Sequence, residues 1–148
     1  MALRLPPFHP LPPPTEGKQA LFEVPIQDLH PTQLCVGMAE IVSRQRDFAE
    51  DDPKEQRQYL KRKPTPLVRS AAGELWMVDR HHRLRALLEL DPKATAFGYV
   101  ALEVPSADPA VVLAELHRRG WLYLYDGRGL GPQHPSVLPP TLLGTQDD

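Results

Sequence analysis

The run Leu75-Trp76-Met77-Val78, followed at once by Asp79-Arg80-His81-His82-Arg83-Leu84-Arg85-Ala86, constrains this chain more than any other stretch. Four apolar residues in a row suit a buried strand. Leu84, Leu87 and Leu88 share one helical face, and Asp91-Pro92 brings that helix to a stop. A strand that feeds directly into a helix needs a sheet to lie in and places the helix against it. The polar cluster then occupies the strand-to-helix turn, where outward-pointing backbone N–H groups and the helix dipole favour an anion.

The flanking segments supply the rest of a small sheet. Leu67-Val68-Arg69-Ser70 and Leu75 to Val78, joined by a loop containing Gly73, read as a β-hairpin. Phe97 to Val104 is a further strand. Asp108-Pro109 starts a helix, with aspartate as N-cap and proline in the first turn, and Gly120 stands where a left-handed C-cap belongs. Trp121 to Tyr125 is expected to be another strand, closed by an Asp126-Gly127 turn. Upstream, Leu21 to Ile26 alternates like a short strand in which Pro25 marks an unpaired edge. A turn over Asp28 to Gln33 follows, then a surface helix from Met38 towards Asp51-Asp52-Pro53. A short basic helix carries Lys54, Arg57, Lys61, Arg62 and Lys63, an electrostatic lip for phosphates.

Interleaved strands, helices and a hairpin predict an α+β fold, a small mixed sheet flanked by helices, over residues 21–148. Residues 1–20 form a proline-rich arm: six of the 18 prolines fall in the first 14 residues, where they remove backbone donors and favour extended polyproline geometry. The formal charge of -2 gives no overall field for nucleic acid, so any anion site must come from local clustering. Cys35 stands alone, which excludes an internal disulfide and suits a reducing cytoplasm. With no stretch long and apolar enough to cross a bilayer, a cytoplasmic protein without membrane contact is expected.

Within the central stretch, residues three or four apart share a helical face, so Arg85 neighbours both His81 and His82. An anion at the helix start would meet guanidinium forks from Arg83 or Arg85 and an imidazole that can act as acid or base near neutral pH. Such a set stabilises charge on a phosphoryl group and moves a proton. Asp79 is explained as well by a helix N-cap as by a role in orienting a histidine or holding Mg²⁺. The cluster contains neither a spaced His/Cys set for zinc nor a Gly-x-x-x-x-Gly-Lys-Ser/Thr loop.

The stretch resembles the Asp-x-His-His-x-x-x-Ala signature of the ParB-like nucleases, relatives of the chromosome-partitioning ParB domain. Pro31-Thr32-Gln33, Val36-Gly37 and Glu40 resemble that family's upstream positions, and Trp121 to Asp126 and Leu138 to Asp148 its closing segments. The resemblance spans about residues 21–148. It implies a ParB/sulfiredoxin-like fold with a phosphate or nucleotide site at this turn. It assigns His81, His82 and Asp79 to catalysis. Phosphate binding falls to Arg83 and Arg85 with Thr32 and Gln33, and Glu40 and Arg80 support them. ParB reads Gly-Glu-Arg-Arg over Arg80 to Arg83, sulfiredoxin Gly-Gly-Cys-His-Arg over Asp79 to Arg83, and the free-serine kinases Asp-Gly-His-His-Arg; each has glycine where this chain has Arg80.

The leading expectation is therefore Mg²⁺-assisted phosphodiester or phosphoryl chemistry on a nucleic acid or nucleotide, in the manner of a nuclease. One alternative is a kinase acting on a small molecule, with ATP, ADP or CTP as the nucleotide. Another is a non-catalytic nucleotide- or DNA-binding module that self-associates as a homodimer.

Overall fold

The computed structural model describes residues 8–12, 21–36, 42–43, 45–46, 52–125, 128 and 130–147, without the side chains of Cys35, Gln146 and Asp147. The main sheet has five strands: β1 (Phe22–Pro25), β2 (Leu29–His30), β4 (Thr65–Ser70), β5 (Leu75–Met77) and β6 (Thr95–Val104). They lie in the order β1-β6-β4-β5-β2. β6 pairs antiparallel with β1 and parallel with β4, β4 pairs antiparallel with β5, and β5 pairs parallel with β2. A second, two-stranded sheet joins β3 (Cys35–Val36) in parallel to β7 (Gln146–Asp147). With α1 (Pro53–Arg62), α2 (His81–Leu90) and α3 (Pro109–Arg118), this is the expected α+β architecture with a mixed sheet.

The period-two alternation of the central strands creates two cores. Leu67 and Met77 face one cluster, which takes in Leu84, Leu87 and Leu88 of α2 and Leu60 of α1. Val68, Trp76 and Val78 face the other, with Val112 and Leu116 of α3 and with Trp121, Leu122 and Leu124. Sheet residues are thus buried on both sides, which explains why Leu75 to Val78 reads as a continuous apolar run. Pro66 is tolerated in a central strand because it lies near the start of β4, one residue before the pairing with β5 begins at Leu67. Pro25 ends β1, an edge strand as its proline implied.

Local signals place the helix ends. Asp52 caps α1 by accepting from the Glu55 N–H at 2.7 Å, and Asp108 caps α3 by accepting from the Ala110 N–H at 3.0 Å, each followed by proline in the first turn. Gly120 follows α3 with φ 71°.

Trp121 to Tyr125 is not a strand. It forms a single bridge, Gln33 with Tyr123, in which the Tyr123 N–H donates to Thr32 O and the Leu34 N–H to Tyr123 O. Trp121 is tied by its own N–H to Leu116 O at the end of α3, so the segment is fixed by burial of its side chains and not by a ladder. Residues 42–43 and 45–46 are helical; the remainder of that expected helix, Glu40 included, lies outside the described residues, as does the Asp126-Gly127 turn.

Candidate functional site

β5 delivers the chain to the turn with Met77 in one core and Val78 in the other, so Asp79 emerges at the sheet's end, exposed. Asp79 is not the helix N-cap. Its Oδ1 accepts from the Arg80 N–H at 2.7 Å, and the N-cap is Arg80 itself, with φ 72°, ψ 17° and no side-chain cap bond. Arg80 is the described non-glycine residue with positive φ. For an L-residue that conformation costs about 1–2 kcal/mol. Glycine would adopt the same backbone without that penalty.

His81 begins α2 and is buried, at 1% exposure. Its Nε2 accepts from the Thr32 N–H at 3.0 Å, and the Thr32 hydroxyl donates to Met77 O at 2.9 Å. Accepting at Nε2 leaves the ring proton on Nδ1, which is buried without a partner among the described residues. Burial, with a smaller push from the neighbouring His82, lowers the His81 pKa to about 3, so the ring is neutral at physiological pH. Chemically, His81 and Thr32 pin the loop between β2 and β3 against the start of α2. The half-buried His82 and Arg83 sit one and two residues further along that helix start.

The expected phosphate ligands separate into two groups. Arg83 stands over the ring of Tyr59 on α1 at 5.2 Å. Arg85 is 6% exposed and its guanidinium is engaged elsewhere. Nη1 donates to the carbonyl and the hydroxyl of Thr145, each at 2.9 Å, and Nε donates to Glu89 at 3.1 Å. It clamps the segment leading into β7 onto α2. Thr32 meets the site through His81, whereas Gln33 lines a cavity of about 270 Å³ shared with Asp79 and Tyr123.

A second cavity of about 270 Å³ lies between Arg62, Asp79, Arg80 and Tyr99. Of the basic residues of α1, Arg62 reaches this place. Arg57 pairs with Glu23 at 2.8 Å and, with Lys61, covers the Phe97 ring, so these two residues of the basic run serve the sheet edge. Arg62 and Arg80 thus line one cavity with the carboxylate of Asp79, and His82 and Arg83 follow in the first turn of α2.

Residues 22–148 match the family described as "Putative ParB-like nuclease". The chain belongs to the ParB-like nuclease family. Among curated proteins none matches it. Its fold is similar to that of protein Atu1540 from Agrobacterium tumefaciens, a crystal structure, with a TM-score of 0.76 at 20% sequence identity, over 89% of this chain. The chain spans 64% of the length of that protein.

Two parts of this ParB-like domain's site have no counterpart in the sequence reading. Tyr99, in the middle of β6, lines the cavity beside Arg80 and donates its hydroxyl to Pro12 O at 2.8 Å; burial raises its pKa, so the hydroxyl keeps its proton. Leu11 of the arm lines both cavities. Neither carries a local signal, because a strand tyrosine and an arm leucine acquire a site only through the parallel pairing of β4 with β6 and the path of the arm. Among the described residues, no helix is long and apolar enough to cross a membrane.

Proposed function

We propose that the Asp79–Arg83 turn of this ParB-like domain binds the phosphate of a nucleic acid or nucleotide and supports phosphodiester cleavage. The observation that carries this reading is Arg80. Its backbone is held in a conformation that glycine adopts without penalty, and its Nε is buried without an acceptor among the described residues. Strain of this kind persists where the surroundings over-determine it, as at ligand clamps. A phosphate oxygen supplies the acceptor that Nε lacks, and Arg62 lines the same cavity.

The roles then follow from burial. Neutral, buried His81 is a positioning residue that holds Thr32. His82 is the acid–base candidate: it delivers a proton to the departing oxygen as a water oxygen bonds to phosphorus and the P–O bond breaks, and the proton shed by that water restores the imidazolium. Arg80, Arg83 and Arg62 balance the charge that develops on the phosphoryl oxygens. Among the described residues, no group of three or more His, Cys, Asp or Glu gathers. A Mg²⁺ ion held jointly by one carboxylate and the phosphate oxygens of the ligand does fit Asp79. Bound there, it would add positive charge to the same oxygens.

The test is cleavage of single- and double-stranded DNA with Mg²⁺ or Mn²⁺ by the wild type, His82→Ala and Arg83→Ala. Loss of activity in both variants is expected. Cleavage that survives in them at the wild-type rate points to a contaminant and ends the proposal. The formal charge of -2 favours a second reading, a nucleotide-dependent kinase, because a protein that binds nucleic acid tightly gathers a larger basic excess. Calorimetric titration with ATP, ADP and CTP decides between them: no heat with any of the three removes the kinase.

A further inference from the structure

The proline arm crosses the site that the turn builds. Phe8 to Pro12 is attached by three hydrogen bonds: the His9 N–H donates to Arg119 O at 2.9 Å, the Trp121 Nε1–H donates to His9 O at 2.8 Å, and the Tyr99 hydroxyl donates to Pro12 O at 2.8 Å. The two side-chain donors take carbonyls three residues apart, which is the repeat of a polyproline helix. Pro10 and Pro12 lack N–H groups, and an extended proline-flanked segment offers its carbonyls to just such aromatic donors. Between the anchors, Leu11 packs against the core on the α3 side of the sheet. Leu11 and Asp79 are the residues that both cavities share, so Leu11 is the partition between the chamber beside Gln33 and the chamber beside Arg80. The attachment is shallow: Phe8 is 62% exposed, and Pro10 and Pro12 are exposed as well.

We propose that Phe8–Pro12 is a releasable strap, seated in a polyproline-type groove made by Trp121 and Tyr99, which closes the Asp79–Arg80 turn. Released, it joins the two chambers into one groove running from Trp121 past Asp79 to Arg62. The strap is a proline-rich ligand supplied in cis, and it competes with whatever the turn binds. Its gating role rests on the phosphate reading given above; its seat does not.

The strap is loosened in the full chain by Leu11→Ser with Tyr99→Phe, neither of which changes charge, and Tyr99→Phe alone is the milder second variant. Hydrogen exchange over residues 78–83 reports cover of the turn, and titration with inorganic pyrophosphate reports the anion site. If the strap is closed in about 90% of molecules, release raises pyrophosphate affinity about tenfold. Exchange over residues 78–83 rises with it. A peptide of residues 5–14 added in trans reverses both effects. Unchanged exchange in both variants overturns the strap, whatever the anion does. Faster exchange with an unaltered pyrophosphate affinity also overturns it as a gate. If no form binds pyrophosphate while exchange rises and the peptide restores protection, the phosphate reading falls and the strap stands.

Discussion

Arg80 sets two demands against each other, and replacing it by glycine and by alanine separates them. Both substitutions remove the guanidinium; only glycine relieves the backbone at φ 72°. The left-handed conformation costs an L-residue about 1–2 kcal/mol. Glycine returns about 0.5–1 kcal/mol of this through the greater entropy of its unfolded chain. Arg80→Gly should therefore be more stable than Arg80→Ala by about 0.5–1 kcal/mol, or about 2–3 °C in Tm for a chain of this size. Against phosphate the two should fail alike. A charge-assisted hydrogen bond is worth about 1.5–3 kcal/mol, so affinity for pyrophosphate should drop by roughly 10- to 100-fold in either variant. Differential scanning calorimetry measures the first difference and calorimetric titration the second. An alanine variant as stable as the glycine variant refutes the strain argument. Wild-type affinity in both refutes Arg80 as a phosphate ligand.

His81 should make the fold sensitive to acid. Its folded pKa of about 3 lies below the unfolded value near 6.5, so the neutral ring stabilises the fold above 6.5, and that contribution is lost as the pH falls towards 3. Urea unfolding at pH 7.0, 6.0 and 5.0 should show a loss approaching about 1.4 kcal/mol per pH unit, absent in His81→Gln. That window lies above the acid range in which Glu115, held down to about 2 by Arg118 and Arg119, contributes. Arg85→Ala should cost about 3 kcal/mol by removing the donor that Thr145 receives in the buried seam and emptying the space of a buried side chain, lowering Tm by about 8 °C. A melting temperature within 2 °C of wild type would contradict the clamp. Gly98→Ala should cost about 1–3 kcal/mol, because its Cβ would lie 2.5 Å from Leu67 Cδ1 and 3.3 Å from Thr65 O in the packed seam between β4 and β6. A neutral result in thermal melts would argue against the register of that pair.

Much of this was legible because it is local. The cap at Asp108, the stop at Asp91 and the helix beginning at His81 rest on residues close to one another in sequence, and the hairpin from β4 to β5 on its short loop, whereas Asp52, the cap of α1, reads in the sequence as the end of the preceding helix. The turn itself stood out as a cluster between an apolar strand and a leucine face. What the sequence did not resolve was which way each side chain faces. Arg83 and Arg85 are two residues apart, so they diverge by more than half a helical turn; one meets Tyr59 and the other Thr145. Burial divides the two histidines, and burial depends on Thr32, 49 residues away. Trp121 to Tyr125 looked like a strand because aromatic and branched residues suit any half-buried surface, not a ladder alone.

The clamp at Arg85 has a consequence for the order in which the molecule is made. The loop that buries His81 is framed on its far side by β3, whose partner is β7, and His30 near the start of that loop bonds Pro140, 110 residues later. Contacts that distant in sequence close late, after the hairpin and α2 have had time to form. On a ribosome the strand–turn–helix unit would emerge and collapse while its frame was still unsynthesised. The Asp79–Arg83 turn would thus be the first part of the domain to take shape and among the last to become rigid.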